Sequence, residues 1–309
     1  MALRAFIAAS FLVVAGLCRA QGTAFTAGEL ASDGQALYRV NLAGLTTSRI
    51  GYVKAPGNVP VSSLGGLTFG LDGQLYAIGA LNGLSQNTLI TLNQSIASAT
   101  VVSQVSGLPA SASTGLALSF GCDGRLWMTS ADSSNFWELT PGTGQIRLVG
   151  NLGAKITALA TRGSTLYGIG GSGNANLYSI DTNTGHATLI GPYNASAANP
   201  VDAGFDSSGM LWGLIRNFNN NDLPTQLNAL VQINSTSGSM SPVGNIANPG
   251  QTGLPYPVPL TGLAVAPPVC SVTPPPQVPV GAPALSPLGL GIFVLSLLAS
   301  GFALSRRWN

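Results

Sequence analysis

The sequence predicts an all-β fold, a five-bladed β-propeller, on three observations. A strand–turn–strand unit recurs with its second strands spaced by about 51, 40 and 45 residues, the range of propeller blades. Only 7% of residues are charged, while there are 40 Gly and 20 Pro. That composition suits short strands and tight turns rather than amphipathic helices. The unit is also incomplete at both ends of the repeat region, in complementary ways, as a ring closed by its own ends requires.

The fullest copy is Ile156–Gly191. Each copy opens on an apolar strand, A: Leu64–Phe69, Thr114–Phe120, Ile156–Thr161, Val201–Phe205 and Leu260–Val265. Four of these lead into compact turns at Asp72-Gly73, Asp123-Gly124, Arg162-Gly163 and Ser208-Gly209, which glycine permits. Strand B then starts with Leu and an aromatic: Leu75-Tyr76, Leu126-Trp127, Leu166-Tyr167 and Leu211-Trp212. Strand C covers Thr88–Leu92, Asn135–Leu139, Asn176–Ile180 and Asn228–Ile233. A turn with Thr-Gly or Ser-Gly leads to strand D, which in three copies ends on a hydrophobic-Gly pair: Val149-Gly150, Ile190-Gly191 and Val243-Gly244.

The chain opens in mid-blade. Ala24–Gly28, Ala36–Leu42 and Ser48–Val53 read as B, C and D without an A, and Leu260–Val265 is an A strand with nothing after it. Joined, they make the fifth blade and leave no sheet edge open at the seam. The alternative ring of six needs strands that the sequence does not supply, and Lys54–Ser63 has no assigned place.

The run LYGIGGSGNANLYSIDTNTGHATLIG resembles the propeller repeats of bacterial secreted and surface proteins, of the LYxID…TGxxTxIG type, in the style of NHL and streptogramin-lyase propellers. The resemblance spans roughly Gly22–Pro267 and implies an architecture, not an activity.

Both termini read as addresses. Residues 1–20 carry Arg4, an apolar run and small residues at Cys18 and Ala20, the pattern of a secretory signal peptide cut after Ala20. Residues 21–267 are the propeller, 268–287 a Pro-rich linker with a short motif, and 288–309 a transmembrane helix with an Arg-rich end. This tail resembles bacterial C-terminal sorting tails of the IPTLxxWG type, relatives of the PEP tails processed by exosortases. Pro283, Leu285, Ser286 and Gly289 match, followed by the terminal Arg306 and Arg307; Ala282, Ala284 and Leu288 stand where that type has Ile, Thr and Trp. The resemblance implies an exosortase-type sorting protease as partner, a transient stay in the inner membrane through residues 288–304, and release to the cell surface or extracellular matrix. A plain membrane anchor is the other reading of the same tail.

Composition and spacing argue against several functions. The formal net charge is +2, but Arg4, Arg19, Arg306 and Arg307 lie in the terminal segments and the rest is slightly acidic, so nucleic acid is not a partner. His186, the one histidine, opens a D strand beside a turn, which argues against a His-based triad or metal cluster. Asp72, Asp123, Asp181, Asp202 and Asp206 could supply a carboxylate pair, but three of them sit in or beside turns that favour Asp for geometry alone. No cofactor is implied. Tyr76, Trp127, Tyr167 and Trp212 occupy equivalent positions, as packing between blades would require; sugar stacking is the alternative. Cys122 and Cys270 both fall at the A–B-turn end of the ring, either as two thiols or as a disulfide stapling the closing strand.

In a propeller the D–A and B–C connections share one face. The long ones here are Pro192–Pro200, Arg216–Gln226 and Ile246–Pro259. Long loops on a rigid scaffold are where binding concentrates, which makes Tyr193, Arg216, Asn217, Phe218, Asn219, Asp222 and Tyr256 the candidate ligand-binding residues. The expectation is an exported, non-enzymatic surface or matrix protein that binds protein or polysaccharide. A propeller hydrolase or lyase and a purely structural matrix component are the alternatives.

Overall fold

A computed structural model describes residues 23–30, 34–81, 87–171, 173–193, 200–216, 228–246 and 260–270. These residues form a five-bladed β-propeller. Blade 1 holds β1 (Thr23–Leu30), β2 (Gly34–Asn41) and β3 (Thr46–Tyr52). Blade 2 holds β4 (Lys54–Ala55), β5 (Val59–Phe69), β6 (Leu75–Leu81), β7 (Asn87–Leu92) and β8 (Ala99–Gln104). Blade 3 holds β9 (Leu116–Phe120), β10 (Leu126–Ser130), β11 (Asn135–Leu139) and β12 (Ile146–Asn151). Blade 4 holds β13 (Ile156–Arg162), β14 (Thr165–Gly170), β15 (Asn176–Ile180) and β16 (Ala187–Pro192). Blade 5 holds β17 (Pro200–Phe205), β18 (Leu211–Arg216), β19 (Asn228–Ile233) and β20 (Met240–Asn245). Within each sheet the strands follow one another antiparallel in chain order.

The ring closes as the incomplete ends require. Residues 260–264 bridge β1 at Gly28↔Leu260 and Phe25↔Ala264, and Phe25 and Ala264 exchange both backbone hydrogen bonds. Five apolar clusters sit between adjacent blades. One of them joins Trp212 and Leu230 of blade 5 to Tyr38 and Val40 of blade 1, across the seam. The described sheets number five, and no sixth lies among the described residues. The segment without an assigned place proves to be a short hairpin extension: β4 pairs with Val59-Pro60 around the turn Pro56-Gly57-Asn58, so β5 starts before Leu64. Gly57 and Asn58 take the positive φ that this turn needs.

The hydrophobic-Gly pair has a packing cause. In each blade the D strand carries a one-residue bulge: Ile50, Val102, Val149, Ile190 and Val243 are skipped in the pairing with strand C. The residue after the bulge receives the C–D turn of the next blade. A Cβ on Gly150 would collide with the Thr184 carbonyl, and one on Gly191 with the Ser237 carbonyl. Blade 2 has Ser103 there, whose hydroxyl donates to the Pro141 carbonyl of the next blade's turn (2.6 Å). Because the obstacles at Gly150 and Gly191 are backbone atoms, Gly191→Val is expected to cost about 3 kcal/mol by overpacking, read as a lower midpoint in urea unfolding. A substitution at exposed Gly142, where nothing lies near the added Cβ, is the matched control.

Aromatic packing between blades accounts for the B-strand series. Tyr76 of blade 2 meets Phe120 of blade 3 with ring centroids 4.9 Å apart, and Tyr167 of blade 4 meets Phe205 of blade 5 at 5.2 Å. Trp127 and Trp212 are buried. Residues 1–20 and 271–309, with the predicted signal peptide, sorting motif and transmembrane helix, lie outside the described residues. Among the described residues no helix is long and apolar enough to cross a membrane.

Candidate functional site: an axial funnel

Counted back four residues from the last residue of each A strand (Phe69, Phe120, Thr161, Phe205 and Val265), Gly65, Leu116, Thr157, Val201 and Thr261 hold equivalent sequence positions. All five line one funnel of about 460 Å³ on the D–A and B–C face. Above this ring the wall is made by Ser63, Leu64, Ser113, Thr114 and Pro200, with Ile78, Asn87, Ala131 and Arg216 from B and C strand ends. The lining is mostly hydroxyl, amide and small apolar groups.

The next residue along each A strand is Gly66, Ala117, Ala158, Asp202 or Gly262. Four blades keep this position small, and blade 5 fills it with a carboxyl. Asp202 is buried, and its two oxygens accept the amides of Ala203 and Leu263 (each 2.9 Å) and that of Leu67. One side chain thus ties blade 5 to the closing strand and to blade 2. Burial pushes its pKa up to about 8, against the lowering effect of those amides. Beyond it lies a second, much smaller cavity of about 20 Å³, lined by Leu67, Leu159, Ala203 and Leu263 with Phe205 and Pro268. There the Ser119 and Thr161 hydroxyls bond across blades 3 and 4 (2.9 Å).

The end of the described chain is fastened on the A–B-turn side. Val269 accepts the Gly163 amide (3.1 Å). Cys270 is bonded to Cys122 in the A–B turn of blade 3, with Cα atoms 5.4 Å apart. Asp202 lines neither cavity and lies at the level between them.

The predicted ligand-binding residues separate. Arg216, at the end of β18, lines the funnel, and its Nη2 donates to the Leu260 carbonyl (2.7 Å). Asn228 accepts the Leu260 amide from the other side (3.2 Å), so the closing strand is gripped as it enters the ring. Tyr193 corrects the expectation of an exposed loop contact. It follows β16 directly, its amide donates to the Ala175 carbonyl (2.8 Å), and its ring is 4% exposed in the core between blades 4 and 5, where burial pushes the phenol up. Asn217, Phe218, Asn219, Asp222 and Tyr256 lie outside the described residues.

The remaining acids work in turns. Asp72, Asp123 and Asp206 accept the amide two residues on, at 3.0, 3.1 and 2.9 Å. Asp206 also accepts the Trp212 indole N–H (2.9 Å). Partial burial opposes its ionisation, but bonds from Ser208, Trp212 and Met210 outweigh that and hold it below the ordinary carboxylate value. Asp181 is lowered by the Asn183 amide and the Thr184 hydroxyl. His186 is exposed beside the Asp181–Gly185 turn. Among the described residues no group of three His, Cys, Asp or Glu could hold a metal ion.

No protein family matches the chain, and neither does any curated protein sequence. Solved structures match it in part. One is a protein of unknown function from Bacteroides thetaiotaomicron, at 16% identity and TM-score 0.46, covering 62% of this chain and 53% of that one. The chain thus spans about half the length of that protein. Virginiamycin B lyase from Staphylococcus aureus matches at 16% identity and TM-score 0.41, covering 72% and 70%. A nidogen/laminin complex chain matches at 12% identity and TM-score 0.46, covering 81% and 100%. None of these likenesses carries a function to this chain.

Proposed function

We propose that this chain is an exported, non-enzymatic protein of the cell surface or extracellular matrix that binds through the propeller face bearing the funnel, polysaccharide ahead of protein. The observation that supports the reading most is the funnel itself. It is lined by hydroxyl and amide groups with small apolar residues and set on a five-blade scaffold. Sites of this size and mixed lining suit small polar ligands. The acids that could have made a catalytic pair are committed instead to turn amides or to the buried axial tie.

Export and sorting rest on the terminal segments. Residues 1–20 direct secretion, and residues 288–304 hold the chain transiently in the inner membrane. A sorting protease of the exosortase type then cuts near Pro283–Gly289 and releases the propeller to the surface or matrix. Cell fractionation with mass mapping of both termini tests this. The expected mature species begins at Gln21, lacks residues 288–309, and is found outside the inner membrane. A species that keeps Arg306-Arg307 and stays in the inner membrane overturns the sorting assignment. Capture of surface polysaccharide by the same mature species tests the binding role.

A further inference from the structure

We propose that the β2–β3 hairpin of blade 1 carries a binding site for a tetrahedral oxyanion, a phosphate or sulfate group, with Arg39 as its charged anchor. The site lies at the C–D-turn end of the blade and shares no residue with the funnel, so it stands or falls separately. The hairpin and the turn that joins its strands are described throughout. Arg39 pairs with Ser48, and Asn41, two residues along, pairs with Thr46. Side chains two apart on a strand share a face, so these four stand together on one face of the sheet. They line a depression of about 320 Å³, and no acid lines it among the described residues. All four are exposed.

The donor set selects the ligand. The Asn41 carboxamide oxygen accepts the amides of Ala43 (3.1 Å) and Gly44 (2.8 Å), which leaves the side-chain N–H groups to donate. The Thr46 and Ser48 hydroxyls and the Arg39 guanidinium have no hydrogen-bond or ion-pair partner among the described residues. One permanent cation, one amide and two hydroxyls thus offer N–H and O–H donors with no carboxylate to compete. The planar fork of arginine takes two oxygens of one group. A tetrahedral oxyanion has a further oxygen for the hydroxyls and the amide, which a carboxylate lacks.

Comparison around the ring points the same way. Counted from the D-strand bulge, the cross-strand pair equivalent to Arg39–Ser48 is Thr91–Thr100 in blade 2, Ser179–Thr188 in blade 4 and Gln232–Ser241 in blade 5, all uncharged. Blade 3 sets Glu138 opposite Arg147, and the two neutralise each other in an ion pair. Blade 1 places a cation at this position without its counter-charge. Arg49, the other cation of the hairpin, follows Ser48 and so falls on the opposite face, where it lies over the Tyr52 ring at 5.1 Å.

The test is nuclear magnetic resonance titration of the purified, nitrogen-labelled full chain at constant ionic strength, with sodium phosphate, sulfate or acetate replacing chloride. The amide signals of Ala43, Gly44 and Ser48 are expected to shift and saturate with phosphate and sulfate, and to respond at least tenfold more weakly to acetate. Arg39→Ala should weaken phosphate binding at least tenfold, and Arg39→Lys should keep part of it. Ser48→Glu copies the blade 3 pair by setting a carboxylate opposite Arg39 and should abolish binding. Lys155→Ala removes the same charge from an exposed position on another blade and should change nothing. A sulfated oligosaccharide and its desulfated counterpart separate the sources of the group. Arg39-dependent binding of the sulfated form alone assigns it to a saccharide, and binding of the inorganic ions without either oligosaccharide assigns it to free phosphate or sulfate. Equal responses to acetate or chloride overturn the oxyanion site. Saturation that survives Arg39→Ala and Ser48→Glu overturns its location. Equal losses in Arg39→Ala and Lys155→Ala reduce the effect to net charge and overturn it as well. None of these results bears on the funnel, which Arg39 and Ser48 do not line.

Discussion

Asp202→Ala is expected to lower stability by about 4 kcal/mol, as the sum of buried amides left without an acceptor. The amides of Leu67, Ala203 and Leu263 come from three different strands and meet at one carboxyl. Removing the acceptor opens a small polar void on the axis, which water fills only in part. The same carboxyl predicts a pH dependence of definite sign. Its pKa is about 8 in the folded chain against an ordinary 3.8. Across the interval between those values the folded protein holds a proton that the unfolded chain has released. Its contribution to stability is therefore complete below about pH 4 and is lost as pH rises to about 8, with a slope of at most about 1.4 kcal/mol per pH unit. Asp206 and Asp181 are shifted the other way, and their contribution is lost on acidification, so the measurement belongs above pH 5. Guanidinium unfolding at pH 5.5, 6.5 and 7.5 should show falling stability for the parent and a flatter profile for Asp202→Asn. A parent profile that is flat, or one that Asp202→Asn leaves unchanged, refutes a buried neutral carboxyl.

The double substitution Cys122→Ser with Cys270→Ser should cost about 5 kcal/mol in the chain-entropy account, since the bond closes a loop with a sequence separation of 148. The loss should concentrate at the seam. Without the bond, among the described residues the segment after Val265 keeps the Gly163–Val269 hydrogen bond, and residues 260–264 keep their bridges to β1 and the grips of Arg216, Asn228 and Asp202. Hydrogen exchange should therefore quicken first at Phe25 and Ala264, before the sheets of blades 3 and 4. Intact mass with and without reduction and alkylation gives the direct check; two thiols that alkylate without reduction refute the bond in the isolated protein. The staple fastens the closing segment to blade 3, opposite the seam rather than beside it.

Much of the scaffold could be read from local pattern. The Leu-aromatic start of strand B, the Asp-Gly turns and the complementary half-blades at the two ends each follow from short-range rules, and these set strand order and ring closure. The bulge before Gly150 and Gly191 was visible as a motif, but its cause was not, because the obstacle is the backbone of the next blade. Tyr193 departs from its local pattern for a related reason. A tyrosine just after a strand and before a Pro/Asn/Ala loop has the local signature of surface, and only the neighbouring blade shows that its ring is enclosed.

The sequence by itself determined the all-β class, the repeat and the seam, and favoured five blades over six, because strands and turns are encoded over a few residues. It also carries one acidic residue, Asp202, at the A-strand position where the other copies have Gly66, Ala117, Ala158 and Gly262. Only the tertiary structure decided that the Asp202 carboxyl accepts the Leu263 amide of the closing strand and that Arg216 lines the funnel. Those residues lie tens to hundreds of positions apart, and nothing short of closing the ring brings them together.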